Sequence, residues 1–198
     1  MNLGLKYVVG ADGAKTLTIP DDRRAQAVSY VRDGAVKTPK EIGAIVQEGH
    51  DGITHALAGL SEPQAQYKPS PEDWCVLELM AHVVTTKQIF ATLCRNLGEG
   101  HLPPGFGPQF EEEAVQDGVT FTRFATLGEA RTASQAAHDD LLAFIRGLDA
   151  STNVEVTFKH FVFGAFNSRE WAVFQRIHDG DHTPQIDAIK ASTGFPAA

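Results

Sequence analysis

Apolar residues recur at helical spacing along four long stretches of the chain. The first follows Thr38-Pro39-Lys40-Glu41 and carries Ile42, Ile45, Val46, Ile53, Ala56, Leu57 and Leu60. These positions step by three, four and seven, the period of one helix face. Thr38 is a capping residue, Pro39 suits the first helical position, and Glu41 completes a capping box. Leu60-Ser61-Glu62-Pro63 is expected to end this helix. The second stretch opens at Trp74-Cys75, with Cys75 at the cap, Glu78 three residues later and Trp74 placed to staple onto Leu79. It continues through Leu79, His82, Val83, Ile89, Phe90 and Leu93 to Gly98. Thr126-Leu127-Gly128-Glu129 opens the third, over 128–147, with Ala137, Leu141, Phe144, Ile145 and Leu148 on its apolar side. Asn167-Ser168-Arg169-Glu170 caps the fourth, which carries Trp171, Phe174, Ile177, His178, His182, Ile186 and Ile189.

Two of the connections are short. The third, rich in Gly, Pro and acidic residues between Gly98 and Thr126, is too long for a simple link and reads as a functional cover or mobile segment. Val154–Phe163 is a short β-like stretch. Four amphipathic helices joined in this way predict an all-α four-helix bundle over 38–198. Residues 1–37 have a different character. Tyr7-Val8-Val9 and Leu17-Thr18-Ile19 flank a turn-rich ADGAK segment, which predicts a small hairpin, and Asp21–Asp33 adds a short helix. This part is expected to be an N-terminal extension.

Composition narrows the function classes. In 198 residues, 42% are hydrophobic and 21% charged, which are globular values. Lys plus Arg number 17 against 25 Asp plus Glu, a net charge of −8, so a nucleic-acid backbone is a poor partner. No apolar run reaches about 18 residues, so no membrane span is expected. The start of the chain lacks the pattern of a secretory signal, and the only cysteines, Cys75 and Cys94, form no CxxC, which together predict a cytoplasmic protein.

The 8 histidines change the picture most. His178 and His182 stand four apart, about 40° from one another around a helix, a good two-point grip on a divalent ion. His50 and His55, five apart, diverge too far to share one metal on one face. A third ligand must come from another helix. His82, mid-helix among Leu79, Met80, Val83 and Val84, needs a partner if it is buried there. His101, His138 and His160 fall on a loop, a helix surface and the β-like stretch, and read as ordinary surface or packing residues. Three imidazoles with an open position describe a catalytic metal site rather than a structural one. No Glu-x-x-His pair occurs, which argues against a di-iron bundle. His178-Asp179-Gly180-Asp181-His182 places Asp where a zincin carries Glu.

The stretches EDWCVLELMAHVV and NSREWAVFQRIHDGDHTPQIDAI, together with YKPSPEDW and FGAFNSREW, resemble the DinB/YfiT-like metalloenzyme superfamily over residues 38–192. The resemblance implies an up-down-down-up bundle, often dimeric, whose divalent metal would be held by His82, His178 and His182. It also implies a small-molecule substrate, with a metal-activated water or a low-molecular-weight thiol (bacillithiol, mycothiol or glutathione) as nucleophile in a transferase-like reaction. The alternative is a non-catalytic metal- or ligand-binding module of a stress response. Zinc, nickel and iron all suit three imidazoles. Asp181 is the candidate proton carrier, with Glu78 as a second whose simpler role is capping. Gln185 is placed to orient a ligand histidine, and Trp171, seven before His178, to wall the pocket. Two positions depart from the family pattern. Cys75 replaces a hydroxyl cap, and Pro184 follows His182, where a helix kink is expected.

Overall fold

The computed structural model describes residues 6–9, 15–102 and 123–197. Strands β1 (Lys6–Val9) and β2 (Lys15–Thr18) form an antiparallel hairpin with Lys6 opposite Thr18. Helix α1 (Asp21–Ala35) follows, then α2 (Pro39–Ala56), the short α3 (Glu62–Gln66) and α4 (Val76–Gly98). After α5 (Leu127–Arg146), a two-stranded hairpin of β3 (Phe158–His160) and β4 (Gly164–Phe166) leads into α6 (Ser168–Lys190). Most of the Gly98–Thr126 connection, 103–122, lies outside the described residues.

The caps do their work as the sequence implies. The hydroxyls of Thr38 and Thr126 accept from the backbone N–H groups of Glu41 and Glu129, and Asn167 Oδ1 accepts from Arg169 and Glu170. Glu78 takes the Cys75 N–H at 2.9 Å. Such caps satisfy N–H groups that the helix cannot pair internally. Two boundaries differ from expectation. Helix α2 stops at Ala56 because Gly59, at φ 73°, turns the chain, and Ser61 and Pro63 then start α3 instead of merely ending α2. The β-like stretch begins only at Phe158, since Asn153 Oδ1 accepts from the N–H groups of Glu155 and Val156 and holds the preceding residues in a turn. Helix α6 runs through Pro184 to Lys190.

Side-chain contacts give the helix directions. Glu48 meets Arg176 and Ala56 meets Lys190, so α2 and α6 are parallel. His82 meets His182 while Phe90 packs on Trp171, so α4 runs against α6. Arg95 meets Asp140 and Gly98 approaches Phe144, so α4 and α5 are parallel. Gln47 meets His138 while Leu57 meets Arg131, so α2 and α5 are antiparallel. The bundle is up-down-down-up. Helix α1 lies along α6: a methyl on Gly34 would sit 2.7 Å from Val173 Cγ1, and Arg169 Nε donates to Ala35 O at 2.7 Å.

The interior is divided. One apolar cluster joins Ile42 and Val46 to Phe90, Leu97, Leu141, Ile145, Trp171 and Ile177, with Ala27 and Val31 of α1. The other joins Ile53 to Leu79, Met80, Val83, Leu127, Ala137 and Ile186. The levels between them contribute His50, Lys87, Ser134, His138, Gln175 and Asp179, all buried. Lys87 Nζ lies 3.0 Å from Asp179 Oδ2, with both side chains at 0% exposure. Gln175 Nε2 donates to the other carboxylate oxygen at 2.7 Å.

His138, placed on the helix surface from sequence, is buried and stacked on His50, with ring centroids 4.0 Å apart and planes within 6°. The surroundings of the two rings are reciprocal. His50 Nε2 faces Gln135 Oε1, and Gln135 Nε2 donates to Asp139. His138 Nε2 faces Gln47 Oε1, and Gln47 Nε2 donates to Asp51. The pattern Gln-x-x-His-Asp thus occurs once in α2 and once in α5, and antiparallel packing relates the two copies. Since each Nε2 must donate to an amide oxygen, each Nδ1 is bare.

A three-histidine candidate metal centre

Helix α4 brings His82 to the bundle interior, and α6 brings His178 and His182 to the facing stripe. The three Nε2 atoms form a triangle with edges of 3.1, 3.2 and 3.2 Å. Three mutual contacts of this length cannot all be hydrogen bonds, because an Nε2 that carries a proton has no lone pair with which to accept, and one without a proton cannot donate, so at least one edge joins two like atoms. A single divalent cation meets all three lone pairs at once. Nitrogen ligands about 2.1 Å from zinc at tetrahedral angles stand about 3.4 Å apart, close to the edges observed. Among the described residues, no other group of three or more His, Cys, Asp or Glu converges in this way.

The protonation state suits ligation. Burial pushes His82 down to about 3, with repulsion from His182 adding to it. Burial also holds His178 well below its ordinary value and lowers His182. All three rings are neutral at pH 7, as metal binding requires. For His182 the tautomer follows from its neighbours. Its Nδ1 lies 3.2 Å from Gln185 Oε1, while Gln185 Nε2 lies 3.4 Å from Asp181 Oδ2. The carboxylate fixes which end of the amide faces it, so the amide oxygen faces the ring, Nδ1 carries the proton, and Nε2 is left as a lone pair.

The remaining sequence candidates occupy different places. Asp181 sits on the half-buried rim, where its charge opposes the burial effect on His182. Gln185 contacts the triad through His182. The Glu78 carboxylate accepts from Cys75 N and pairs with Lys68 Nζ at 2.8 Å. Trp171 is 3% exposed, donates Nε1–H to Phe158 O, and touches Phe90, which in turn packs on His178. Among the described residues, the aromatic groups that border the triad are Phe90, 5.6 Å from the His178 ring, and Trp74, 5.4 Å from the His82 ring. Neither was singled out from sequence as part of the site. Phe90 carries a readable signal, eight residues after His82 and so on nearly the same helix stripe.

The chain matches the sequence pattern of the DinB superfamily over residues 46–186. Its fold is similar to that of TT2238, a four-helix bundle protein of known crystal structure, with a TM-score of 0.56 and 18% sequence identity, over 76% of this chain and 99% of that one. No curated protein matches it. No helix among the described residues is long and apolar enough to cross a membrane. A four-helix bundle carrying His82, His178 and His182 at one point, and matched over most of its length by the family pattern, belongs to the DinB superfamily.

Proposed function

We propose that His82, His178 and His182 hold one divalent metal ion with at least one coordination position open, and that the protein is a metal-dependent enzyme acting on a small molecule through a bound water or low-molecular-weight thiol. The observation that carries this reading is the Nε2 triangle, with edges of 3.1–3.2 Å and neutral rings. When bound, the metal lowers the pKa of a coordinated water or thiol and polarises a substrate oxygen. Gln185 keeps the proton of His182 on Nδ1. Asp181, one residue before His182 and on the rim, accepts a proton from the incoming nucleophile. Phe90 keeps water away from the inner side of His178.

Metal analysis of the protein as purified, followed by titration with zinc, nickel and iron, tests the first half. One equivalent of divalent metal is expected, lost in His178→Ala. The absence of stoichiometric metal in the wild type, before and after titration, removes the proposal. A thiol-transfer screen with bacillithiol, mycothiol and glutathione tests the second half. No turnover by the metal-loaded protein with any of them, nor with water, leaves a metal-binding module without catalysis.

A further inference from the structure

The indole of Trp74 is 46% exposed, one of the few large apolar groups that the described surface leaves open. It does not project at random. Its ring centroid lies 5.4 Å from that of His82, with the planes tilted by 42°. The backbone on both sides is fixed. Asp73 N donates to Ser70 O at 3.2 Å, which closes a turn, and Cys75 N donates to the Glu78 carboxylate, which anchors the first turn of α4. Lys68 pairs with that same carboxylate and holds it in place. The indole is therefore held beside a triad imidazole by a turn on one side and a helix cap on the other. The inner side of the triad is already closed by Phe90, which is 7% exposed and packs on His178. Among the described residues, the indole is the exposed ring beside the triad, so a molecule that comes to His82 from solvent on this side meets its face. Rigid aromatic faces at a pocket mouth bind flat apolar groups by offset or edge contact.

We infer that Trp74 is a specificity-determining residue, which selects ligands whose metal-binding atom is carried next to a flat apolar group. This rests on the reading of the triad as a metal site. The class includes an aryl thiolate or an aryl-substituted azole, and disfavours small, strongly hydrated ligands.

The test uses the full chain loaded with cobalt(II), whose visible absorption reports its ligands directly. Imidazole and 4-phenylimidazole are titrated into the wild type, Trp74→Ala and Trp74→Phe. The wild type is expected to prefer 4-phenylimidazole by about tenfold, the size expected of a stacked ring. The preference is expected to fall to about twofold or less in Trp74→Ala, and to be largely kept in Trp74→Phe, which retains a flat face. A parallel readout is the emission of Trp74 in a Trp171→Phe background, which 4-phenylimidazole should quench and imidazole should not. An equal preference in wild type and Trp74→Ala overturns the inference while leaving the metal site intact. The failure of any variant to give a cobalt spectrum, wild type included, overturns the metal reading, and the inference with it.

Discussion

The ion pair between Lys87 and Asp179 offers the sharpest test of how this interior is held. The charged atoms lie 3.0 Å apart, and both side chains are wholly excluded from solvent. At an effective dielectric of about 20, charges at that separation attract by about 5.5 kcal/mol. Removing each ion from water costs several kcal/mol, so the pair as a whole contributes little net stability. The asymmetry appears when one partner is removed. Lys87→Met leaves a carboxylate in the core with Gln175 Nε2 as its one side-chain donor among the described residues. Asp179→Asn leaves an ammonium close to the stacked imidazoles. Each single substitution is expected to cost about 3–5 kcal/mol. The double substitution leaves no charge and still offers an amide oxygen to Gln175, so it is expected to lie within about 2 kcal/mol of the wild type. Urea unfolding of all four proteins in EDTA, followed by circular dichroism, measures the cycle without any contribution from bound metal. Additive losses, or a Lys87→Met cost below about 1 kcal/mol, would refute the reasoning, since they would mean that neither charge needs the other.

Other expectations follow from the same structure. Burial, repulsion from His50 and the Lys87 charge push His138 down to about 3, and burial and Lys87 also lower His50. The unfolded chain binds these protons near the ordinary value of 6.5, so stability should be complete above that pH and fall progressively between about 6.5 and about 3. Asp51, Asp139 and Asp179 act in the opposite sense on one or both rings, and Asn in place of Asp51 should steepen the decline. Denaturant midpoints measured from pH 7.5 to pH 4 in EDTA check this, and a flat profile would contradict it. Gln185→Leu removes the acceptor that fixes the His182 tautomer and is expected to weaken metal binding about 10- to 100-fold in a competitive chelator titration, with little change in the apo melting temperature. Gly34→Ala gains up to about 1 kcal/mol of helix propensity. It also drives a methyl into Val173 Cγ1 at 2.7 Å, so a net loss of about 1–2 kcal/mol is expected by urea melt, relieved when Val173→Ala is added.

The sequence was informative wherever a local rule decides the outcome. Thr38/Glu41, Thr126/Glu129 and Asn167/Glu170 mark helix starts because capping is a matter of four consecutive residues. The HxxxH pair was visible because helical spacing alone puts the two rings on one face, and His82 because an imidazole in an apolar run needs a partner. What escaped depends on which helices face one another. Nothing local says that Lys87, buried on α4, is answered across the bundle by Asp179, which stands between two candidate ligands on α6. The His50–His138 stack went unseen for the same reason, although Gln-x-x-His-Asp appears twice and comparing the two helices would have exposed it. Local spacing makes Trp74 a candidate staple on Leu79, and only the fold shows that it also lies beside an imidazole contributed from further along α4.

The lengthwise docking of α1 on α6 has a consequence for how the chain is made. Of the described helices, the one synthesised earliest packs on the one synthesised last. While the ribosome is still delivering the middle helices, Ala27 and Val31 lack the α6 side of their surroundings, although both are at 0% exposure in the finished fold. The loop that must close to bring these segments together spans most of the protein, and its entropic cost grows only slowly with length, so the delay is set by order of appearance rather than by chain statistics. The apolar side of α1 is therefore a natural contact for chaperones until α6 emerges, and translation arrested before Ser168 should leave that helix open to protease.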